Sequence, residues 1–298
     1  MAVPERYEIH STGLRAAVSG KGAELVNFQD GAGRELLWDG DPAVWSGQAP
    51  ILFPVIGALA GGVYRYGGQT YPMPKHGFAR RSDFAVVDHS DSRLELVLAA
   101  NDETRANYPF EFELRVRFVV TGAKLHVIAR VQNNGAVPMP MSFGFHPALR
   151  WPLPYGVPRD HHVISFDEAE PEPIRRINGD GLLTPSPVAT PVDGHVLALR
   201  DELFVDDAVI FDRLHSQSLT YGGQTGSMLH VSWNNLPDFA IWTKPGAEYI
   251  CLEPWQGHAD PVGFDGDIWR KPGIIAVEPG QSRCFSMSIS VKAVNPHD

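Results

Sequence analysis

Three short stretches carry side chains that could move protons. PMPKHGFARRSDF (72–84) sets His76 between a proline-rich turn and Gly77. SFGFHPALRWPL (142–153) holds His146 among small and aromatic residues, with Pro147 directly after it. YICLEPWQGHAD (249–260) contains Glu253 at the end of an apolar run, followed by Pro254 and Trp255. Imidazole titrates near neutral pH, so it can give or take a proton under ordinary conditions. A carboxylate makes a sensible base beside an imidazole acid.

Each stretch also has a plain structural reading. His76 fits a turn histidine bonded to backbone, and Gly77 fits a close approach of chain or ligand. His146 fits a satisfied core histidine, its backbone held extended by Pro147. Glu253 fits a surface carboxylate, although an acid ending an apolar strand is costly to bury without a partner or a task. Together the three supply two histidines, a carboxylate and many aromatics, with Phe143, Phe145 and Trp151 offering apolar and stacking surface around His146. Aromatic faces stack on the apolar C–H face of a sugar ring, while His, Asp, Glu, Arg and Asn bind hydroxyls.

The elements that must position these groups read as strands. Runs with period-2 patterning recur at 93–100, 111–120, 124–133, 239–243, 249–254 and 284–294. Phe112, Leu114, Val116 and Phe118 alternate with Glu111, Glu113, Arg115 and Arg117, which is an antiparallel strand with one wet face. Glycines and prolines punctuate the runs, and no long helical stripe or alternating βαβ pattern appears. The expected fold is an all-β antiparallel sandwich or barrel. The stretches 151–162 and 181–195 read as loops, and the same strand plan resumes after each, so residues 1–298 are expected to form one domain.

Composition narrows the function classes. A net charge of −10 with no offsetting basic stretch argues against nucleic acid or an anionic membrane as partner. No run of 18 apolar residues exists to span a bilayer. The first residues, MAVPERYEIHSTGL, carry no apolar signal core, so the cytoplasm is the expected location. Cys251 and Cys284 lack metal-type spacing and suit reduced, buried thiols, with a single disulfide as the alternative. No nucleophile elbow, Walker A loop, zinc-protease helix or dinucleotide fingerprint is present. His161 and His162 are adjacent and so point to opposite faces in extended chain; they read as a solvated loop rather than a metal pair. No metal and no cofactor is expected.

With these pieces in place, the chain resembles the aldose 1-epimerase (galactose mutarotase) family, in particular its LacX-like branch. The matching segments are LFPVIGAL (52–59), YPMPKHGFAR (71–80), SFGFHPALRWPL (142–153), LFVDDAVIF (203–211) and ICLEPWQG (250–257), in family order. The resemblance implies a supersandwich of β-sheets with an aldose sugar bound in a cleft on a concave sheet. It implies that Glu253 takes a proton from the C1 hydroxyl, that His146 delivers one to the ring oxygen, and that His76 hydrogen-bonds the sugar nearby. Asp207, or its neighbour Asp206, matches the acid that holds hydroxyls, and Arg80, Phe145 and Trp255 are the further sugar contacts expected. His146 should then keep a pKa near neutral, and Glu253 should have one raised from about 4.3.

One position departs from the pattern. Ala58 stands where relatives often carry an arginine, and the nearest basic residues in sequence are Arg65, Lys75 and Arg80. That departure supports a second reading, a sugar-binding or sugar-sensing protein without turnover. A third reading, a glycosidase, would pair Glu253 with Asp207 at roughly 5–10 Å and would leave both histidines without a role.

Overall fold

The alternating runs fold as antiparallel strands in two large sheets facing one another. The structure, a computed structural model, describes residues 5–293. The larger sheet has nine strands, in the order Val196–Ala198, His162–Phe166, Ser218–Gly223, Ser227–Asn234, Ser282–Ala293, Lys124–Asn133, Phe112–Thr121, Arg93–Ala99 and Ala85–Ser90. The smaller one runs Val209–Phe211, Asp238–Trp242, Tyr249–Gln256, Phe143–Phe145 and Ile51–Leu52, with Ala148–Arg150 also paired to Tyr249–Gln256. Every strand pairing is antiparallel, as the one-wet-face patterning implies.

The core lies between these sheets. Leu114, Val116 and Phe118 point inward from the large sheet, and Phe239, Ile241, Ile250 and Leu252 from the small one; all join one apolar cluster. Each such side chain contributes about 1.5–3 kcal/mol when fully buried. Between them stand the residues of the opposite face: Arg115 and Arg117 on the large sheet, Ala240, Cys251 and Glu253 on the small one.

Among the described residues the one α-helix is Asp102–Asn107, opened by a reciprocal cap between Asn101 and Thr104. No described helix is long and apolar enough to cross a membrane. The stretches 151–162 and 181–195 are largely loop, each with short turns or isolated bridges.

Two expectations fail here. His162 is not in a solvated loop: it is buried and starts a strand. Leu153 N–H donates to its Nε2 at 3.0 Å, and its Nδ1 lies 3.0 Å from the Pro158 carbonyl, so it is a satisfied core histidine that ties down the proline-rich loop. Both cysteines are free, but only Cys251 is buried; Cys284 is exposed because it lies on the outer face of its strand.

Candidate active site

The small sheet's outward face forms the floor of a cleft of about 190 Å³. Its walls and floor include His76, His146, Glu253, Arg80, Asp207 and Trp255. That volume is small for a ligand site and fits a single ring rather than an extended chain.

Register explains why His146 and Glu253 meet. Gly144 pairs with Trp255, and Ala148 pairs with Cys251, across the same two neighbouring strands. The same register carried through the break between them sets His146 opposite Glu253. Pro147 cannot donate to the ladder, so the pairing is interrupted there without a change of register, and the Pro147 carbonyl still accepts from Leu252 N–H at 3.2 Å. The result is His146 Nε2 at 3.1 Å from Glu253 Oε2, with both residues almost fully buried. On the other side of Glu253 the cross-strand partner is Ala240, whose small side chain leaves the carboxyl uncovered from that flank.

Gly144 is needed at its position. A Cβ there would fall 2.5 Å from the Trp255 ring, so only glycine lets the indole lie flat on the strand. Gly77 plays a comparable part behind His76, since a Cβ would fall 2.1 Å from the Phe53 carbonyl oxygen. His76 itself adopts a positive φ of 67°. Its backbone N–H donates to the Gly57 carbonyl, and Gly57 N–H donates back to its Nδ1 at 3.2 Å. The plain reading of a turn histidine is therefore correct, and the same ring also lines the cleft. Burial, helped by the charges of Lys75 and Arg80 and by His146, keeps its pKa well below the usual value. A neutral ring accepting at Nδ1 carries its proton on Nε2, which leaves Nε2–H as a donor.

Burial also dominates the central pair. It pushes the His146 imidazolium down to about 3, with Arg80 and Lys75 adding to the drop. It pushes the Glu253 carboxyl well above its usual range, against the pull of Lys75 and Arg80 and with the help of Asp207. The expected near-neutral pKa for His146 is thus overturned in the sugar-free cleft, because the ring is out of water. Three polar atoms here make no aligned hydrogen bond: His146 Nδ1, Trp255 Nε1, and Glu253 Oε2, whose 3.1 Å approach to His146 Nε2 is too poorly angled to be one. Buried polar atoms without partners are rare in folded proteins, and three around one cleft mark a place where a polar ligand would complete the bonding.

The structure brings together His76, Arg80, His146, Asp207, Glu253 and Trp255. Asp207 lines the cleft and Asp206 does not. Phe145 is not brought there. It is 2% exposed, packs edge-on against Phe143 and belongs to the core. The reason is alternation: a residue next to His146 on an extended strand points to the opposite face. Phe143 and Trp151 are core residues for the same inward-facing reason.

Two aromatics of the site escaped sequence reasoning. Trp45 stacks on His146 with ring centroids 5.3 Å apart and on Tyr249 at 5.4 Å, and Trp242 meets it edge-on. Trp242 was readable from alternation, since it shares a face with Ala240. Trp45 sits in an irregular loop where no period exists to place it. Ala58 lies beside Gly181 and is only partly buried, and Lys75 stands near the same glycine and lines the cleft with Arg80. Arg65 instead bonds the Asp265 carbonyl. No spacing announced a metal-type cluster, yet His146, Cys251 and Glu253 bring donor atoms within 4.8 Å of one another.

A larger groove of about 710 Å³, between residues 214–217 and 282–285, contains none of these acid–base residues.

Comparison with known proteins places this fold among relatives. The family model described as aldose 1-epimerase matches residues 5–290. The chromosomal LacX protein of Lactococcus lactis is 31% identical over 280 residues, covering 91% of this chain and 94% of that one. A galactose mutarotase related enzyme from Lactobacillus acidophilus superposes with a TM-score of 0.89 at 29% identity, over 98% of this chain and 99% of that chain. A galactose mutarotase-like protein from Lactobacillus casei gives the same TM-score at 28% identity, over 97% and 100%. The fold is the galactose mutarotase-like β-sandwich, and the chain belongs to the aldose 1-epimerase family.

Proposed function

We propose that this chain interconverts the α and β anomers of an aldose by acid–base opening and closing of the sugar ring. The observation that carries the reading is the 3.1 Å contact between His146 Nε2 and Glu253 Oε2 in a cleft sized for one ring. In this mechanism Glu253, as carboxylate, takes the proton from the C1 hydroxyl. His146, as imidazolium, gives a proton to the ring oxygen. The bond from C1 to the ring oxygen breaks, leaving an aldehyde and a hydroxyl. Rotation about C1–C2 presents the other face of the aldehyde, and closure returns both protons along the same paths. His76, through Nε2–H, donates to a sugar oxygen near C1. Trp255, Trp45 and Trp242 stack on the ring, while Asp207 and Arg80 hold hydroxyls.

Ring opening turns a charged pair, imidazolium and carboxylate, into an uncharged one. Burial disfavours charge, so the low-dielectric setting stabilises the open-chain stage relative to the cyclic one. The same burial makes the uncharged pair the resting state. A proton moving from Glu253 to His146 across their contact prepares the site for a cyclic sugar, and the cationic Lys75 and Arg80 stabilise the carboxylate that results. No cofactor is needed for these transfers.

Polarimetry tests the reading, using freshly dissolved α-glucose, α-galactose and glucose 6-phosphate with and without protein. The expected result is faster decay of rotation for at least one of them. A protein that binds one sugar tightly yet leaves every sugar at its spontaneous rate is a sugar-binding protein instead.

A further inference from the structure

Cys251 takes no part in the sugar reaction proposed above, yet it is fully buried directly beside the pair that does. It lies two residues before Glu253 on the same strand, so both side chains point to the same face. Its cross-strand neighbours are Ala148, just beyond the break at His146 and Pro147, and Trp242. The outcome is one imidazole nitrogen, one thiol sulfur and one carboxylate oxygen within 4.8 Å of one another. Glu253 Oε2, 3.1 Å from His146 Nε2, has no aligned hydrogen-bond partner. Trp45 covers the group, and the cleft opens on one side.

We propose that His146, Cys251 and Glu253 form a site for a borderline-soft divalent cation of the Zn²⁺ type, and that this cation switches the cleft off. Mixed nitrogen, sulfur and oxygen ligation is what Zn²⁺ favours, whereas Mg²⁺ and Ca²⁺ take oxygen ligands. Bonds of about 2.0–2.3 Å in a tetrahedron put donor atoms roughly 3.3–3.6 Å apart. The histidine–glutamate contact opens slightly to reach that spacing, and the sulfur moves inward by about 1.2 Å at most, from within 4.8 Å. Three protein ligands leave a fourth position towards the cleft, for water. Binding displaces one proton from the thiol and one from the carboxyl, so it strengthens as pH rises. The bound ion takes the lone pair of His146 and the charge of Glu253, leaving neither acid nor base. The binding claim is independent of the epimerase reading; the inhibition claim rests on it.

The test is titration of the full chain with Co²⁺, whose bond to a thiolate gives a charge-transfer band in the near-ultraviolet. One Co²⁺ per chain with such a band is expected, bleached by added Zn²⁺. Cys251→Ala should abolish the band and weaken Zn²⁺ binding by more than about 100-fold, beyond the loss seen when a partner that merely orients a ligand is removed. Cys284→Ser should keep the band. Glu253→Gln retains the thiol, and if Cys251→Ala does not fold it serves alone, with weaker Co²⁺ binding and a shifted band expected. No band in the wild type overturns the site, as does a band lost in Cys284→Ser or Co²⁺ binding unchanged in Glu253→Gln. For inhibition, Zn²⁺ should slow anomer exchange in the wild type but not in Cys251→Ala. A band without catalysis keeps the metal site and sinks the sugar reading; catalysis without a band does the reverse.

Discussion

Two outward faces of this sandwich carry acidic residues, and they treat them oppositely. On the nine-stranded sheet, Glu95 lies between Arg115 and Arg117, with contacts of 3.1 and 2.6 Å. Desolvation works against its charge, but the hydrogen bonds and charges of the two arginines win and lower its pKa. On the small sheet, Glu253 meets a neutral imidazole, keeps one oxygen unpartnered and has its pKa raised. Both residues occupy the outward position of an alternating strand. What differs is the cover: two partly exposed arginines over Glu95, and Trp45, Trp242 and the Gly181 loop around Glu253. A fully satisfied carboxylate is a structural residue. One held without its full set of partners retains bonding capacity for something else.

The sharpest way to break that contrast is to remove each acid's charge. Glu253→Gln keeps the shape but cannot accept a proton, so the anomer-exchange rate should fall by about 10²–10⁴-fold, with sugar affinity changing far less. Glu95→Gln should leave the rate alone. Equal rates for wild type and Glu253→Gln in a polarimeter would remove the base from the proposed mechanism.

The next largest effect is on the pH profile. The productive pair holds two protons in total. A third adds to His146 only below about pH 3, and one leaves Glu253 only at its raised pKa. The rate constant at low sugar should therefore form a plateau wider than the interval from 4.5 to 6.5 set by the groups' ordinary values. The rates at pH 4 and pH 6 should be similar. An acid limb with its midpoint near 4.5 would mean that water reaches the pair.

Stability should move in opposite senses at the two sites. Glu253 keeps in the fold a proton that the unfolded chain loses above its ordinary pKa of 4.5, so its contribution worsens as pH rises from there to the folded pKa. Glu253→Gln should raise the melting temperature at pH 7 by about 2 °C or more, and the gain should vanish towards pH 4. Glu95 has a lowered folded pKa, so its contribution is complete above 4.5 and is lost as pH falls through the folded value. Glu95→Gln should lower the melting temperature at pH 7, with the loss shrinking in acid. Melting curves at pH 4 and 7 that moved in parallel for the two variants would erase the distinction. The smallest effect is expected for Arg117→Ala, about 0.2–1 kcal/mol by denaturant titration, since that arginine is half exposed.

The strands were legible because one wet face imposes a period of two, and the runs around 112–120, 124–133 and 249–254 all form strands. His76, His146 and Glu253 stood out by residue type beside glycine and proline. Phe145 is adjacent to His146 in sequence but lies in the core, because alternation sends strand neighbours to opposite faces. Trp45 could not be placed because its loop has no period. The packing of the Gly181 loop on Ala58 and the approach of Cys251 to His146 depend on pairings between distant segments, which no local pattern encodes. The family resemblance supplied the roles; register supplies the reason the two central residues face each other.

That shared register makes the pair tolerant of some changes in chain length and intolerant of others. Loops such as 181–195 lie outside the ladder and can lengthen or shorten without touching it. Between Gly144 and Ala148 the chain has no such freedom. Insertion or deletion of a single residue there would turn the imidazole towards the core and bring an apolar neighbour round to Glu253. Variation in this lineage, natural or engineered, therefore has an open path through the rim of the cleft and a closed one through four peptide bonds at its floor.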